Sequence, residues 1–353
     1  SETRARGKTL FSLTKPRVVV LLQITAMCAI LSHDLIELRT VNINTLENMI
    51  IVFIGGYLTA GGANCINMWY DRDIDPIMNR TSNRPLSVGD ISSEAALIFG
   101  IVISIIGTIW LVEMANEIAA FWALFSILFY VFIYTIWLKR TSVQNIVIGG
   151  IAGSTPPVIG WCAAEGNLQI SMNSFQEFIN SIFDIGGYMP WFMFLLIFLW
   201  TPPHFWALAL YRSEEYKKVG VPMLPNVKGK QRTLLEMKVY AIILILLSIT
   251  APLSYHNIEF WNEINLDIGN SLIILNTMTL SIWYGLTVWK IDITEKNDEN
   301  NRMPTASHSF FISLSYLAFM FIALVLSSIG VQGSIISLIL VVILIFRNRR
   351  VVK

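Results

Sequence analysis

The sequence predicts an all-α fold, a polytopic bundle of membrane-spanning helices, on three observations. Of 353 residues, 54% are hydrophobic and 14% charged, and the mean hydropathy is +0.60, values of a multi-spanning membrane protein rather than a soluble domain. Apolar stretches of about 20 residues, enough to cross a hydrocarbon core of ~30 Å, recur along the chain. Lysine and arginine are concentrated in every second connection, as in cytoplasmic loops. A net charge of +1 gives no sign of nucleic acid as a partner.

The stretches lie near residues 17–36, 48–70, 94–113, 117–138, 143–163, 188–211, 236–256, 268–290 and 307–329, with a shorter tenth at 331–346. If the N-terminus is on the inner side and all ten cross, every lysine and arginine except Arg39 falls inside. The outer connections 113–117, 165–187 and 256–267 hold acids and no lysine or arginine. Both termini are therefore expected to be cytoplasmic. The tenth stretch is short enough to lie tilted at the interface, but Arg347, Arg349, Arg350 and Lys353 favour crossing. Arg4, Arg6 and Lys8 lead into Pro16 without a small-residue cleavage site, so no removed signal peptide is expected. Cys28, Cys65 and Cys162 read as small core residues, with no disulfide or zinc site implied. Gly149 and Gly153 read as a close helix contact, and Pro156, Pro157, Pro202 and Pro203 as bends beside a cavity.

The densest polar cluster follows the second stretch. Asn67, Asp71 and Asp75 are four residues apart, so on a helix they form one row, each offset by about 40°. Pro76 disfavours helix at Asp75, which places Asp75 in the last turn and Arg80 and Arg84 on the loop beyond. Such hard oxygen donors suit magnesium with substrate phosphate, and the guanidinium forks suit the same phosphate. Asp73 lies about 200° round from Asp71 and reads as a partner for Arg72 or a neighbouring loop. The bland alternative is a headgroup-level mixture of charges, which does not require this register.

A second cluster, residues 200–225, opens on the same side. His204, Tyr211, Arg212 and Glu215 share a helical stripe there. A lone membrane histidine is more often structural than a ligand, and Glu215 is the better candidate for a site. The third inner connection adds Tyr134, Lys139, Arg140, Gln144 and Asn145. Inner-side charge bias explains Lys139 and Arg140 as well as phosphate binding does.

With these residues, the chain resembles the UbiA superfamily of intramembrane prenyltransferases, and within it the branch that farnesylates protohaem IX. Asn67, Asp71 and Asp75 match an NxxxDxxxD motif, and Arg80, Thr81, Arg84, Pro85 and Leu86 the R-T-x-x-R-P-L that follows. More specific to that branch are Leu13-Thr-Lys-Pro-Arg17, Gln144-Asn145 with Gly149-Gly150, Pro156-Pro157 with Gly160-Trp161, Thr201-Pro-Pro-His-Phe-Trp206 and Gly220-Val-Pro-Met-Leu-Pro225. Where most relatives carry a second DxxxD, this sequence has Tyr211 and Glu215, which puts a second full magnesium site in doubt.

The resemblance implies nine core helices around a central cavity, with residues 1–330 as the prenyltransferase domain and 331–353 as an added C-terminal span. It implies farnesyl diphosphate and protohaem IX as substrates, Mg2+ as cofactor, haem O as product, and haem A synthase as the enzyme next in line. Asn67, Asp71 and Asp75 are then metal ligands and, with Glu215, catalytic; Arg80, Arg84, Lys139, Arg140 and Arg212 bind diphosphate; His204, Tyr211 and Tyr134 contact haem. The implied setting is a prokaryotic plasma membrane. Two other readings stand beside this one, a UbiA enzyme with an aromatic acceptor such as hydroxybenzoate and a secondary transporter, whose site would lie nearer the midplane.

Overall fold

In a computed structural model that describes residues 2–255, 268–299 and 302–349, the apolar stretches are helices, and no strand occurs among those residues. Glu2–Leu13 (α1) leads through Thr14 and Lys15 into Pro16–His33 (α2), whose first-turn proline lacks an N–H that would be unbonded anyway. Ile43–Tyr70 (α3) opens on a reciprocal cap. The Asn42 side chain accepts from the N–H groups of Asn44 and Thr45, and the Thr45 hydroxyl accepts from Asn42 N–H.

Ser93–Met114 (α4) and Glu117–Leu128 (α5) follow, and α5 continues as a π-helix over Phe129–Leu138 and a turn at Lys139–Thr141 (α6). Next come Asn145–Ser154 (α7), Pro156–Glu165 (α8), Phe175–Phe183 (α9), Met189–Lys218 (α10), Leu224–Ile249 (α11), Ile268–Trp289 (α12), Pro304–Ser327 (α13) and Val331–Arg349 (α14). Pro156 opens α8, as a proline should, whereas Pro202 and Pro203 sit inside an unbroken α10 rather than ending it.

Among the described residues, nine helical segments are long and apolar enough to cross a membrane. They include α14, whose 19 residues rise about 28 Å at 1.5 Å each. It packs along α12 and α13, with Asn276 donating to Ser334 O at 2.9 Å. The stretch expected at 236–256 differs. Its helix, α11, begins at Leu224, and its first fifteen residues carry Lys228, Lys230, Arg232, Glu236 and Lys238. Those charges belong to α11, not to a loop; α11 packs between α10 and α12 and is followed by a 3-10 turn at Ala251–Tyr255. The connection 256–267 and the basic Arg350 and Lys353 lie outside the described residues.

Outward faces are apolar: Ile98, Ile105 and Ile109 on α4 and Ile339 and Ile343 on α14 are each more than half exposed, as lipid contact requires. The three cysteines sit unpaired within helices. At the end of the bundle away from Asp71, His33 is held between two carboxylates, Nδ1 to Asp34 Oδ1 and Nε2 to Glu165 Oε2, both at 2.8 Å. Thr45 donates to the other Asp34 oxygen at 2.5 Å. These contacts tie the end of α2 to the start of α3 and the end of α8. His33→Ala leaves Asp34, 2% exposed, without its ring partner and should cost on the order of 3 kcal/mol. Thermal unfolding of the purified protein in detergent should show a clearly lowered midpoint; an unchanged one would contradict this role.

Candidate active site

Two short 3-10 turns, Asp71–Asp73 and Asp75–Ile77, replace the expected last turn of α3, which ends at Tyr70. Asp71 O accepts from Ile74 N and Asp75 O from Met78 N, the tighter i to i+3 pattern used where a helix stops. Asp75 is therefore not on the helical row expected of it. Pro76 is the physical reason, since its ring disfavours α geometry at the residue before it.

The two carboxylates are nevertheless brought together. Asp71 is 0% and Asp75 2% exposed, and Lys15 and Lys139 each lie within electrostatic reach of both. Lys139 Nζ donates to Asp71 Oδ2, and Asn67 Nδ2 donates to the same oxygen at 3.0 Å. Arg84 Nη1 donates to Asp75 Oδ2 at 2.6 Å. Arg140 spends its fork on Asp73, with Nη1 and Nη2 each 2.7 Å from a carboxylate oxygen, and stacks over Tyr70 at 4.7 Å. Its Nη2 also lies 3.5 Å from Asp71 Oδ1. Asp73 thus pairs with the neighbouring segment and not with Arg72, which stacks on Trp69 instead. Arg80 is exposed on the loop and makes no ion pair among the described residues.

Sequence reasoning missed three contributors. Lys15, which caps α2 in a left-handed conformation (φ 52°, ψ 61°) rare for a residue with a Cβ, donates to Asn67 Oδ1 at 2.7 Å. Burial, with Arg84 and Lys139 nearby, pulls its ammonium down to about 7, while Asp71 and Asp75 pull the other way. Its place directly before Pro16, at the mouth of an apolar span, was the available signal. Thr135 accepts from Asn67 Nδ2 at 3.1 Å. Tyr130 stacks on Tyr134 at 5.4 Å along the π-helix, within electrostatic reach of Asp71, Asp75, Arg80 and Arg84.

The residues fit a hard divalent cation. Asp71 Oδ1 is buried with no hydrogen-bond partner among the described residues, an acceptor left open. No cluster of three or more His, Cys, Asp or Glu occurs among the described residues, so a cation here would share water and substrate oxygens. Lys15, Arg80, Arg84, Lys139 and Arg140 face Asp71, Asp73 and Asp75, a surplus of positive charge that suits an anionic substrate.

The second cluster stands at the same end. Ile74 of the Asp71 loop packs with Ala209 of α10 and with Val221 and Met223 beyond it. Arg212 Nη1 donates to Glu215 Oε1 at 2.7 Å, and both line a cavity of about 220 Å³ with Tyr211. His204 is stacked between Trp200 at 4.2 Å and Phe310 at 4.5 Å, with Nδ1 2.6 Å from Ser313 Oγ. Phe205 packs edge-on at 5.1 Å, so His204 is a buried ring enclosed by aromatic side chains.

Comparison with known proteins gives a consistent result. The UbiA prenyltransferase family matches residues 21–262. A protein from Bartonella tribocorum named "Protoheme IX farnesyltransferase" is 36% identical over 321 residues, 90% of each chain. One of the same name from Symbiobacterium thermophilum is 44% identical over 234 residues, 66% of this chain and 70% of that one. Among solved structures, a digeranylgeranylglyceryl phosphate synthase superposes with a TM-score of 0.64 at 19% identity, covering 91% of this chain and 98% of that one. A UbiA homologue from Archaeoglobus fulgidus bound to GPP and Mg2+ gives 0.57 at 18%, covering 90% and 99%.

Gly149 and Gly153 behave differently from the matched pair expected. A Cβ on Gly149 would strike the Tyr134 ring, while one on Gly153 would meet nothing within 4 Å. Gly149→Ala should displace Tyr134 and destabilise by about 1–3 kcal/mol. Gly153→Ala should be neutral or stabilise by up to about 1 kcal/mol through helix propensity. Paired thermal unfolding of the two variants checks this, and equal shifts would refute it.

Proposed function

Because the chain belongs to the UbiA prenyltransferase family, we propose that it transfers a farnesyl group from farnesyl diphosphate to a vinyl group of protohaem IX, giving haem O and diphosphate. The observation that carries the transfer chemistry is the cationic surplus around two buried carboxylates at one end of the bundle. The acceptor rests on the names of relatives that align over most of the chain.

Arg80 and Arg84 reach the diphosphate from the loop, and Lys139 and Arg140 from the end of the π-helix. Arg212, with Glu215 and Tyr211, closes the opposite rim. Mg2+, held by Asn67, Asp71 and Asp75, would add charge neutralisation to the leaving diphosphate. As the allylic C–O bond breaks, its electron pair leaves with the diphosphate, and these cations stabilise the developing negative charge. The stacked faces of Tyr130 and Tyr134 offer π-density to the allylic cation. The haem vinyl supplies the electron pair of the new C–C bond. Water adds to the resulting cation beside the porphyrin and loses a proton, leaving the hydroxyethyl group. Tyr134, Tyr211 and His204 border the acceptor. Residues 1–330 carry the reaction and 331–353 add a peripheral span. The catalytic end is cytoplasmic in a prokaryotic plasma membrane, and haem A synthase receives the product.

Asp71→Ala should abolish formation of farnesylated haem, read by mass spectrometry from purified protein, Mg2+, farnesyl diphosphate and haem, while the protein remains folded. Chelation of divalent cations should stop the wild type in the same assay, and added Mg2+ should restore it. Full turnover by the variant, or in chelator, would remove the assignment of Asn67, Asp71 and Asp75. An active Asp71 site that modifies an aromatic acid and never haem would transfer the reading to the other acceptor class.

A further inference from the structure

The basic first half of α11 is bent around a cavity. Gly229 interrupts the helix at φ 83°, ψ 161°, a conformation open to glycine, and the Thr233 hydroxyl donates to Gly229 O at 2.9 Å. The kink places Lys228 before the break and Arg232 after it. Between this turn and the start of α7 lies a cavity of about 480 Å³, lined by Val143, Gln144, Leu224, Lys228, Arg232 and Glu236. Its base is apolar and its rim cationic. Lys228 is exposed and makes no ion pair among the described residues. Arg232 gives only Nε to Glu236 Oε1, at 2.8 Å, so Glu236 orients the guanidinium and leaves its two Nη groups for another acceptor. Inner-side charge bias accounts for basic residues at a helix end, but not for two of them framing a hollow.

We infer that Lys228 and Arg232 hold the two carboxylates of the haem acceptor, with the porphyrin edge lying over Val143 and Leu224. This rests on the haem reading given above and adds the site at which that substrate is recognised. A flat apolar ring with both carboxylates on one edge needs cations where the lipid layer ends, because ionised carboxylates do not follow the ring into hydrocarbon. The vinyl groups are on the opposite edge. From this cavity the chain runs back to the catalytic cluster within one turn: Gln144 is close after Arg140, and Asn145 Nδ2 donates to Lys139 O at 3.4 Å. Ile146, which follows Gln144 and Asn145, packs with Ile74 of the Asp71 loop and with Val221 and Met223 just ahead of Leu224. A ring anchored at Lys228 and Arg232 therefore turns its vinyl edge toward Asp71 and Lys139.

The test is haem binding by the full chain in detergent, followed by Soret absorbance, for the wild type, Lys228→Ala/Arg232→Ala, and Lys228→Glu/Arg232→Glu. Protohaem and its dimethyl ester, in which both carboxylates are capped, are the two probes. The alanine pair should weaken protohaem binding by on the order of tenfold, the worth of two part-exposed charge pairs, and the glutamate pair should weaken it more. The ester should bind all three proteins alike, and affinity for farnesyl diphosphate should not change, which also certifies the fold. Protohaem binding that is unaltered by both variants overturns the inference while leaving haem as the acceptor. Equal weakening of protohaem and ester also overturns it, because the cations would then be acting on structure. A wild type that binds neither probe removes the acceptor reading together with this site.

Discussion

The structure depends on satisfying two buried carboxylates, Asp71 and Asp75, at the end of a helix whose surroundings are lipid. An unpaired buried carboxylate costs several kcal/mol, so each must find a partner, and the partners come from distant parts of the chain. Arg84 comes from the loop beyond the 3-10 turns and Lys139 and Arg140 from the end of the π-helix, while Lys15, ahead of α2, bonds the Asn67 amide that itself donates to Asp71. Meeting the charge requirement of one helix end therefore fixes how three other segments approach it. The left-handed backbone at Lys15 belongs to the same requirement, since such a conformation persists only where tertiary contacts hold it.

The two ends of the bundle use similar groups to different effect. Away from Asp71, His33 bridges Asp34 and Glu165, and Thr45 satisfies a further oxygen, so the polar atoms answer one another. That arrangement joins helix ends and leaves no positive charge over. Around Asp71 the cations outnumber the acids, one carboxylate oxygen has no hydrogen-bond partner among the described residues, and Arg80 is exposed on its loop. The first arrangement closes a structure, whereas the second leaves cations in excess. Local charge balance separates them better than the mere presence of buried charge, because both contain it.

Much of this was legible in the sequence, for identifiable reasons. Span length follows from bilayer thickness, so helices over most of the apolar stretches could be read directly. The spacing of Asn67 and Asp71 survives because both sit where α3 is still helical or has just ended. Asp75 joins them by a different route, through 3-10 turns that a four-residue period does not describe. The start of α11 was hidden because a charged stretch of helix resembles a loop in hydropathy. Lys15 and Tyr130 were hidden because a contact with Asn67 or a reach toward Asp71 spans more than fifty residues of sequence. His33 is the converse case. Adjacent His33 and Asp34 are visible, but Glu165, which completes the pair, is known only from the fold.

The π-helix at Phe129–Leu138 follows from the same charges. A wide helix is rarely favoured by itself and occurs mostly at functional sites, held by what surrounds it. Here three contacts pin it: Thr135 to Asn67, Lys139 at its end to Asp71, and the Tyr134 ring against Gly149. In a regular α-helix each residue past Phe129 would be rotated relative to its present position, and Thr135 and Lys139 could not keep their partners while Tyr134 kept its slot. Relaxing the segment would thus strand Asp71 without its ammonium and Asn67 without one of its acceptors, both in buried surroundings. The carboxylate near one helix end holds the winding of another, through Lys139 directly and through Thr135 by way of Asn67.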